Sequence, residues 1–421
     1  MDGRNARWSW IAAMLALAFH AVNGLFALLI GAFPTSLDEL QHLSFIRSME
    51  ARPSLLPRYE DLRVLDDSGR TFTAAPNYLN HPSPYYVAMG WVDRAVGGDI
   101  RALRLVDLGL SLAAVALMLL AGFRVLKDWK SRTVFAAALV LFPKAGVVAG
   151  LINNDNAALL VTGAAFLALV EWQRSPSTRN AVFLALGLAA CGWTKLTILL
   201  MLAFGALIAE ALRLRVRGPR PTLGACAVVA AGLAVGAIPS LANLAAYGRL
   251  LHHTSAFYVA PASRLDLSFG RYALIFFRDM EEKWPALEPS RLPQQLGLCL
   301  VVVWAAWALA VGLRRKAGEG DLDAAWRTAC GLVLATAPVM AIHLYFGWRT
   351  FVEDGFVEMA QMRYYYGVWP GFALGLALLW LSRPERSPRT PAALVTGVLM
   401  ASASMTYLGL IAVAHGRAMI R

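Results

Sequence analysis

Two adjacent carboxylates, Asp38 and Glu39, lie a few residues beyond the first long apolar run of the sequence, at 8–33. Ionisable side chains are costly to keep near lipid, so in a membrane protein they mark functional sites. A carboxylate can serve as the general base that removes a proton from an attacking hydroxyl. The pair also suits the start of a helix that Ser36 caps, since acidic residues stabilise a first turn. We predict that both interpretations hold.

Further polar residues lie in segments between apolar runs, and we predict that they reach the same membrane face as the acidic pair. Arg and Lys bind phosphate, and fixed cations stabilise charge on a leaving phosphate in a site shielded from water. Carboxylates combined with cations therefore indicate a site that holds a phosphate at headgroup level while a base activates a nucleophile. The residues are His81, Tyr85, Asn153, Asn154, Asp155, Lys195, Gln361 and Arg363.

Each of these residues also has a structural explanation when it is taken alone. The Asn-Asn-Asp sequence at 153–155 is a good turn and helix-capping sequence. A single Lys at a helix end, such as Lys195, commonly extends to the membrane interface. Arg363 and the tyrosines after it suit an interfacial anchor. The functional interpretation therefore depends on the set, because helices distant in sequence bring its members to one face.

The composition is typical of an integral membrane protein. Of the 421 residues, 58% are hydrophobic and only 16% are charged, whereas soluble domains carry about 25% charged residues. The net charge of +12 does not indicate a nucleic-acid partner, because the basic residues cluster in short loops between apolar runs. The four cysteines lie inside apolar stretches without metal-ligand spacing, which favours packing roles. The bilayer is thus the partner that the composition predicts.

The apolar runs predict an all-α polytopic protein with about 11 transmembrane helices in a single transmembrane domain, residues 1–421. A spanning helix needs about 20 apolar residues, and the run at 181–193 is shorter than that. The predicted spans are 8–33, 103–123, 133–151, 156–173, 181–193, 196–212, 222–246, 294–313, 326–346, 365–382 and 391–414.

The basic residues predict the orientation of these spans. Alternate loops hold most of the Lys and Arg, whereas the turn at 152–155 has none and the turn near 194 has only Lys195. The positive-inside rule therefore places the N-terminus in the cytoplasm and the polar set outside. The first run is too long for a signal-peptide core and is predicted to remain as an anchor. We predict a multi-pass protein of a bacterial inner membrane whose active site faces the periplasm or exterior.

Two long outer segments result from this topology, at 34–102 and 247–293. The first contains the acidic pair, and its stretch at 84–98 is rich in Tyr and Trp. We predict that this stretch is a juxtamembrane helix at the membrane interface, where such residues are enriched. Long segments without spans of their own are usually functional or disordered, and the aromatic content favours ordered helices that lie against the membrane.

The motifs, taken in order, resemble those of the GT-C class of membrane glycosyltransferases, which use polyprenyl-phosphate-linked sugars outside the cytoplasmic membrane or in the ER lumen. The similarity is to the protein O-mannosyltransferase and lipid A aminoarabinose transferase branch, and more closely to uncharacterised bacterial relatives. Asp-Glu-Leu-Gln-His at 38–42 resembles the Asp-Glu-x-x-His of the family's first outer loop. Residues 80–86 resemble its Pro-Pro-Leu-x-Tyr segment, although Ser83 separates the two prolines.

Three later motifs extend the resemblance. Residues 153–155 resemble the family's second outer loop, where an Asp occurs. Gly-Trp-Thr-Lys-Leu at 192–196 resembles its Thr-Lys-Gly turn, with Leu in place of Gly. Gln-Met-Arg-Tyr at 361–364 resembles the Gln-x-Arg-Tyr before a late helix of the bacterial relatives. The resemblance covers roughly 1–215 and 361–370, and nothing in 220–355 contributes to it.

The resemblance implies a glycosyltransferase that moves a sugar from a polyprenyl-phosphate donor to a glycan, lipid or protein acceptor, with inversion at the anomeric carbon. The metal requirement is left open, because some branches of the family need one, and carboxylate oxygens suit Mg²⁺ or Mn²⁺. The resemblance implies that Asp38 is the catalytic base, that Glu39 orients it and that Asp155 binds the acceptor or a metal. It implies that Lys195 and Arg363 bind the lipid phosphate and that His81 and Tyr85 line the donor groove. Asn154, His42 and Gln361 would contact the acceptor or a metal, and Asp38 and Asp155 would be the ligands of any metal.

Two other functions remain open at this stage. An O-antigen polymerase or ligase-like enzyme would use a diphosphate-linked glycan, and the basic residues of the second outer segment suit it: His252, His253, Arg264 and Arg271. A lipid flippase or transporter would be non-enzymatic. Transporters tend to have inverted repeats and polar sites near mid-membrane, whereas this sequence has no evident repeat and its polar groups are predicted at one face.

Overall fold

The computed structural model describes residues 3–35, 37–140, 142, 145–216, 218–251, 254, 258–278, 310, 320–357 and 361–381. Ser36 and the His252–His253 pair lie outside the described residues. The spans predicted at 294–313 and 391–414 also lie outside them, except for residue 310.

The described chain is mostly helical. Six of its helices, α1, α4, α7, α9, α10 and α12, are long and apolar enough to cross a membrane, which supports a multi-pass membrane protein. The predicted number of about 11 spans stays a prediction. The α-helices are α1 (Gly3–Ile30), α2 (Glu39–Ala51), α3 (Pro84–Ala95), α4 (Ile100–Val125), α5 (Trp129–Val140), α6 (Ala145–Val148), α7 (Asp155–Arg174), α8 (Thr178–Gly192), α9 (Leu196–Arg215), α10 (Leu223–Tyr247), α11 (Phe269–Arg278), α12 (Asp321–Asp354) and α13 (Trp369–Leu381).

The span predicted at 133–151 differs from the observed elements. Helix α5 ends at Val140, and only the single turn of α6 follows before the chain leaves helical structure. The sequence has Pro143 between the two helices, and proline cannot continue an α-helix without losing a hydrogen bond. The stretch predicted as a juxtamembrane helix does form one, α3, and Pro84 begins it, as suits the first position of a helix.

A small β-hairpin corrects the all-α prediction. Strand β1 (Arg63–Leu65) pairs antiparallel with β2 (Phe72–Pro76) in the segment at 34–102. The turn between them depends on Asp66, whose Oδ1 accepts hydrogen bonds from the Arg70 and Thr71 backbone N–H groups at 3.0 and 3.2 Å. The Asp-Asp-Ser-Gly sequence at 66–69 favours a turn, so the hairpin could have been predicted from the sequence.

The segment at 34–102 contains most of a hydrophobic cluster, to which Leu103 and Ile152 also belong. Helices α2 and α3 pack against each other there, and the rings of Phe45 and Tyr86 stack with centroids 3.8 Å apart. The Ser44 hydroxyl accepts a hydrogen bond from the Leu65 backbone N–H at 2.9 Å, which joins α2 to the hairpin. The segment is therefore ordered, and it fixes the position of Asp38 and Glu39 at the start of α2.

Close approaches between backbones position the two short turns that carry polar residues. A Cβ on Gly150 would lie 2.0 Å from the Gly24 carbonyl oxygen, so only glycine lets the 150–155 turn rest on α1. A Cβ on Gly192 would lie 2.0 Å from the Gly236 carbonyl oxygen, which similarly brings the end of α8 against α10. Small residues allow such close helix packing in membranes.

Candidate functional site

A cavity of about 330 Å³ lies where the segment at 34–102 meets the helix ends. Its wall combines the residue before α2, the turn before α7, the start of α9, the second half of α10 and the segment before α13. Of the ten residues predicted as site residues, eight line it: Asp38, His42, His81, Asn154, Asp155, Lys195, Gln361 and Arg363.

Asp38 occupies the turn immediately before α2. Its backbone has φ 61° and ψ 16°, the left-handed conformation that aspartate tolerates better than most residues. Its side chain does not cap the helix and instead accepts hydrogen bonds from the Tyr78 hydroxyl and from Arg363 Nη2, the latter at 2.5 Å. The Asp38 side chain is 24% exposed, so it is the carboxylate of the cavity that a substrate can reach.

Asp155 begins α7 and is almost completely buried. Lys195 Nζ lies 2.7 Å from its Oδ1, and Arg363 Nη1 lies 3.4 Å from its Oδ2. Lys195 immediately precedes α9, in extended conformation, so the short turn after α8 projects its ammonium into the cavity wall. Burial strengthens these ion pairs because there is little water to screen them.

Arg363 joins the two carboxylates. One terminal nitrogen contacts Asp38 and the other contacts Asp155, while its Nε donates to the Gln361 side-chain carbonyl at 2.5 Å. The Tyr364 ring lies beside Arg363 and also 4.7 Å from Lys195 Nζ, in cation–π geometry. The four charged residues thus form a continuous network in which two cations balance two carboxylates.

Glu39 lies outside the cavity, although it is adjacent to Asp38. It is fully buried and paired with Arg104 of α4, with Oε1···Nε and Oε2···Nη2 distances of 2.6 and 2.7 Å. Arg104 also donates to the Gly31 carbonyl oxygen at 2.7 Å, and Glu39 accepts from the Ile152 N–H at 3.2 Å. The pair therefore joins the end of α1, the start of α2 and the turn before α7.

Asn153 connects the two acidic turns directly. Its side-chain amide donates to the Leu37 carbonyl oxygen at 3.0 Å and accepts from the Asp155 N–H at 2.9 Å. The Asn153 N–H in turn donates to Asp107 at 3.2 Å. This set of contacts fixes the separation between the backbones that carry Asp38 and Asp155.

Tyr85 takes a different position from the one predicted for it. Its hydroxyl donates to Asp107 Oδ2 at 2.8 Å, and it is not among the described residues that line the cavity. Burial and the neighbouring Asp107 carboxylate raise the pKa of the Tyr85 phenol well above its usual value. Its role in the donor groove stays a prediction. Its observed contact is with Asp107, which also accepts a hydrogen bond from the Asn153 N–H in the 150–155 turn.

Two of the histidines that line the cavity, His42 and His81, have lowered pKa values. His42 Nδ1 lies 2.9 Å from the Tyr86 hydroxyl, and burial lowers the pKa of His42 from 6.5 to about 3 although the Asp155 carboxylate opposes the shift. Burial, reinforced by Lys195, also lowers the pKa of His81 well below its usual value. Neither imidazole therefore adds charge to the cavity at neutral pH.

A His42→Gln variant is expected to show a weaker pH dependence of stability than the wild type. The native protein keeps His42 neutral down to about pH 3, whereas the unfolded chain protonates it near pH 6.5. Between these values the unfolded state binds more protons, so wild-type stability falls as the pH falls through that interval. Melting temperatures at pH 7 and pH 5 measure the difference, and equal pH dependence in both proteins would contradict it.

The cavity does not fit a divalent metal as it stands. Among the described residues, no three His, Cys, Asp or Glu side chains gather closely enough to hold an ion. Asp38 and Asp155, the two predicted ligands, are both engaged by Arg363. A cation at this position would have to displace the guanidinium of Arg363 from the two carboxylates.

Arg104, Asp107 and Tyr78, which hold the acidic turns in place, were not predicted from the sequence, and neither were four polar residues that line the cavity: Thr197, Ser240, Asn243 and His343. Arg104 and Asp107 lie three positions apart within or beside an apolar span, and charged residues there are a functional signal. Their spacing places them on one helix face, so they could have been recognised as a buried support. Tyr78, which donates to Asp38, has no such signal because nothing in the sequence connects the two positions.

No protein-family model matches the chain, and no curated protein matches it. Among solved structures, the chain is similar to the crystal structure of ArnT from Cupriavidus metallidurans bound to undecaprenyl phosphate. The similarity has 15% sequence identity and a TM-score of 0.41, over 88% of this chain and 77% of that chain. A likeness this distant assigns neither a family nor an activity.

Proposed function

We propose that the protein transfers a sugar from a polyprenyl-phosphate donor to an acceptor on the outer side of the membrane, with Asp38 as general base. The observation that carries the proposal is the bridge made by Arg363, which contacts Asp38 and Asp155 while Lys195 holds Asp155. Four parts of the chain distant in sequence thus bring a reachable carboxylate next to two buried cations.

The two cations suit a lipid-linked phosphate. The side chains of Lys195 and Arg363 are only 8% and 4% exposed. Lys195 directly precedes α9, which is long and apolar enough to cross a membrane, and Arg363 lies in the short segment before α13. A phosphate there receives charge-assisted hydrogen bonds in a site with little water. An apolar chain attached to that phosphate can remain in the bilayer while the sugar occupies the cavity.

The balanced charges suggest an order of events. In the protein as described, Arg363 pairs with both carboxylates and Lys195 pairs with Asp155, so an arriving phosphate competes with the carboxylates for the guanidinium. Asp38 is the more exposed carboxylate, whereas Asp155 keeps a second partner in Lys195. Donor binding therefore releases Asp38 in preference to Asp155, and a carboxylate freed from a cation is the stronger base.

The proposed reaction is a direct displacement. The acceptor oxygen attacks the anomeric carbon and its proton passes to Asp38. The bond between that carbon and the phosphate oxygen breaks, and the electron pair leaves with polyprenyl phosphate. Attack opposite the leaving group inverts the anomeric centre. Lys195 and Arg363 stabilise the charge that develops on the phosphate.

Donor turnover tests the proposal. The purified full chain is reconstituted in liposomes with a panel of polyprenyl-phosphate sugars, and a membrane extract supplies acceptors. Mass spectrometry should detect released polyprenyl phosphate and a glycosylated product for at least one donor. No turnover of any monophosphate donor, while a known transferase of this kind is active on the same panel, would overturn the proposal.

Arg363→Lys is expected to raise the KM for the donor about 10- to 100-fold, although the charge is conserved. The guanidinium contacts two carboxylates and Gln361 at once, and a lysine ammonium cannot reproduce that planar geometry. Steady-state kinetics at varied donor concentration measure the change. Arg271→Lys, an exposed arginine outside the cavity, is the matched control and should behave as the wild type.

The alternative functions receive no specific support. Arg264 and Arg271, which suit a polymerase or ligase, are not among the described residues that line the cavity. Arg264 instead donates to the Val259 carbonyl oxygen and lies beside the Tyr258 ring. The polar residues gather where α7 and α9 begin, whereas a transporter site is expected near mid-membrane.

A further inference from the structure

Asn154 and Thr197 line the cavity with buried polar side-chain atoms that have no hydrogen-bond partner among the described residues, and Asn154 has two such atoms. Asn154 is 1% exposed. Neither its Nδ2 nor its Oδ1 has a hydrogen-bond partner among the described residues. Its two neighbours are fully engaged, since Asn153 binds the Leu37 carbonyl and Asp155 binds Lys195. Of the three residues in this turn, Asn154 is therefore the one whose side chain makes no hydrogen bond to the described residues.

A buried amide without partners is unusual. The large majority of buried polar groups are hydrogen-bonded, and an exception calls for a ligand, a water or a functional explanation. Local structure does not explain Asn154, because its backbone lies in the ordinary right-handed helical region, with φ −67° and ψ −10°, and its side chain does not cap α7. The side chain is therefore not held there by a capping role.

The hydrogen-bonding groups of the Asn154 amide indicate which part of a polyprenyl-phosphate sugar it can bind. The amide presents donors on one atom and an acceptor on the next. A phosphate in its dianionic form has acceptors only and would leave Oδ1 unpaired, and a prenyl chain offers neither group. Two neighbouring hydroxyls of a sugar offer both, because one can donate to Oδ1 while the other accepts from Nδ2.

The position of Asn154 agrees with this assignment. It directly precedes Asp155. Lys195, a proposed phosphate ligand, has its Nζ 2.7 Å from Asp155 Oδ1. In the donor, the sugar is bonded directly to the phosphate, so groups that bind the sugar must lie next to groups that bind the phosphate. We propose that Asn154 binds a vicinal pair of hydroxyls on the transferred sugar. The inference rests on the proposed function and adds the residue that selects the sugar.

The test compares wild type with Asn154→Leu, which has similar volume and no polar atoms, and with Asn154→Ala. Each protein receives the donor found in the turnover panel and its analogue lacking one hydroxyl of a vicinal pair, for each pair in turn. Wild type should prefer the hydroxylated donor to one of these analogues by about 10- to 100-fold in kcat/KM, because the analogue loses a buried hydrogen bond and leaves an amide atom unpaired. Both variants should lose that preference to within about twofold.

Binding of polyprenyl phosphate without a sugar separates recognition from folding. Both variants should bind this lipid as the wild type does, because Lys195 and Arg363 remain. Loss of this binding in both variants would assign Asn154 a structural role and overturn the inference. If the wild type is active and both variants keep its preference for the hydroxylated donor, the inference is overturned while the proposed function stands. Water would then be the partner of the amide. A wild type that turns over no donor would overturn the proposed function and the inference together.

Discussion

Asp38→Asn is expected to reduce sugar transfer by about 10²- to 10⁴-fold, the range that loss of a general base produces. The amide has nearly the same shape as the carboxylate and can still accept from Tyr78 and Arg363, but it cannot take the proton of the acceptor. The fold should persist, because Asp38 is partly exposed and makes no helix-capping bond. Rates of polyprenyl phosphate release in liposomes measure the loss.

Two controls make this result interpretable. Asp61→Asn changes a carboxylate of the same outer segment that is 69% exposed and outside the cavity, and it should retain wild-type activity. Donor binding by Asp38→Asn should be unchanged or tighter, since the substitution removes the carboxylate that competes with phosphate for Arg363. Full transfer activity in Asp38→Asn would remove the base from the mechanism.

Glu39→Gln and Arg104→Met are each expected to lower the free energy of unfolding by about 3–5 kcal/mol, because either change leaves a buried charge without its partner. The Glu39–Arg104 pair is at most 3% exposed and has two short contacts. Denaturation of the purified protein in detergent, followed by tryptophan fluorescence, measures the loss.

The double variant Glu39→Met/Arg104→Met distinguishes a pair from two unrelated residues. Removing both charges should recover much of the stability lost in either single variant, since no unpaired charge remains. Additive losses in the double variant would show that the ion pair is not the reason for the sensitivity. Together with Asp38→Asn, these variants separate two adjacent acids into a proposed catalytic group and a structural one.

The membrane character of the protein and most of its helix positions followed from the sequence alone. Apolar runs of about 20 residues have few alternatives to a spanning helix, because lipid cannot satisfy free backbone groups. The Tyr and Trp content of 84–98 likewise indicated α3, and local turn chemistry indicated the polar turn at 153–155. The hairpin and the break between α5 and α6 were missed although Asp66, Gly69 and Pro143 signal them.

The membership of the cavity was also largely predictable, whereas the role of each residue was not. Patterns of sequence identify which residues are chemically unusual, and eight of the ten candidates do line one cavity. Asp38 and Glu39 look equivalent in sequence, and only the tertiary structure turns one toward the cavity and the other toward Arg104. The physical reason is that successive residues at a helix start point in different directions, and long-range packing decides what each one meets.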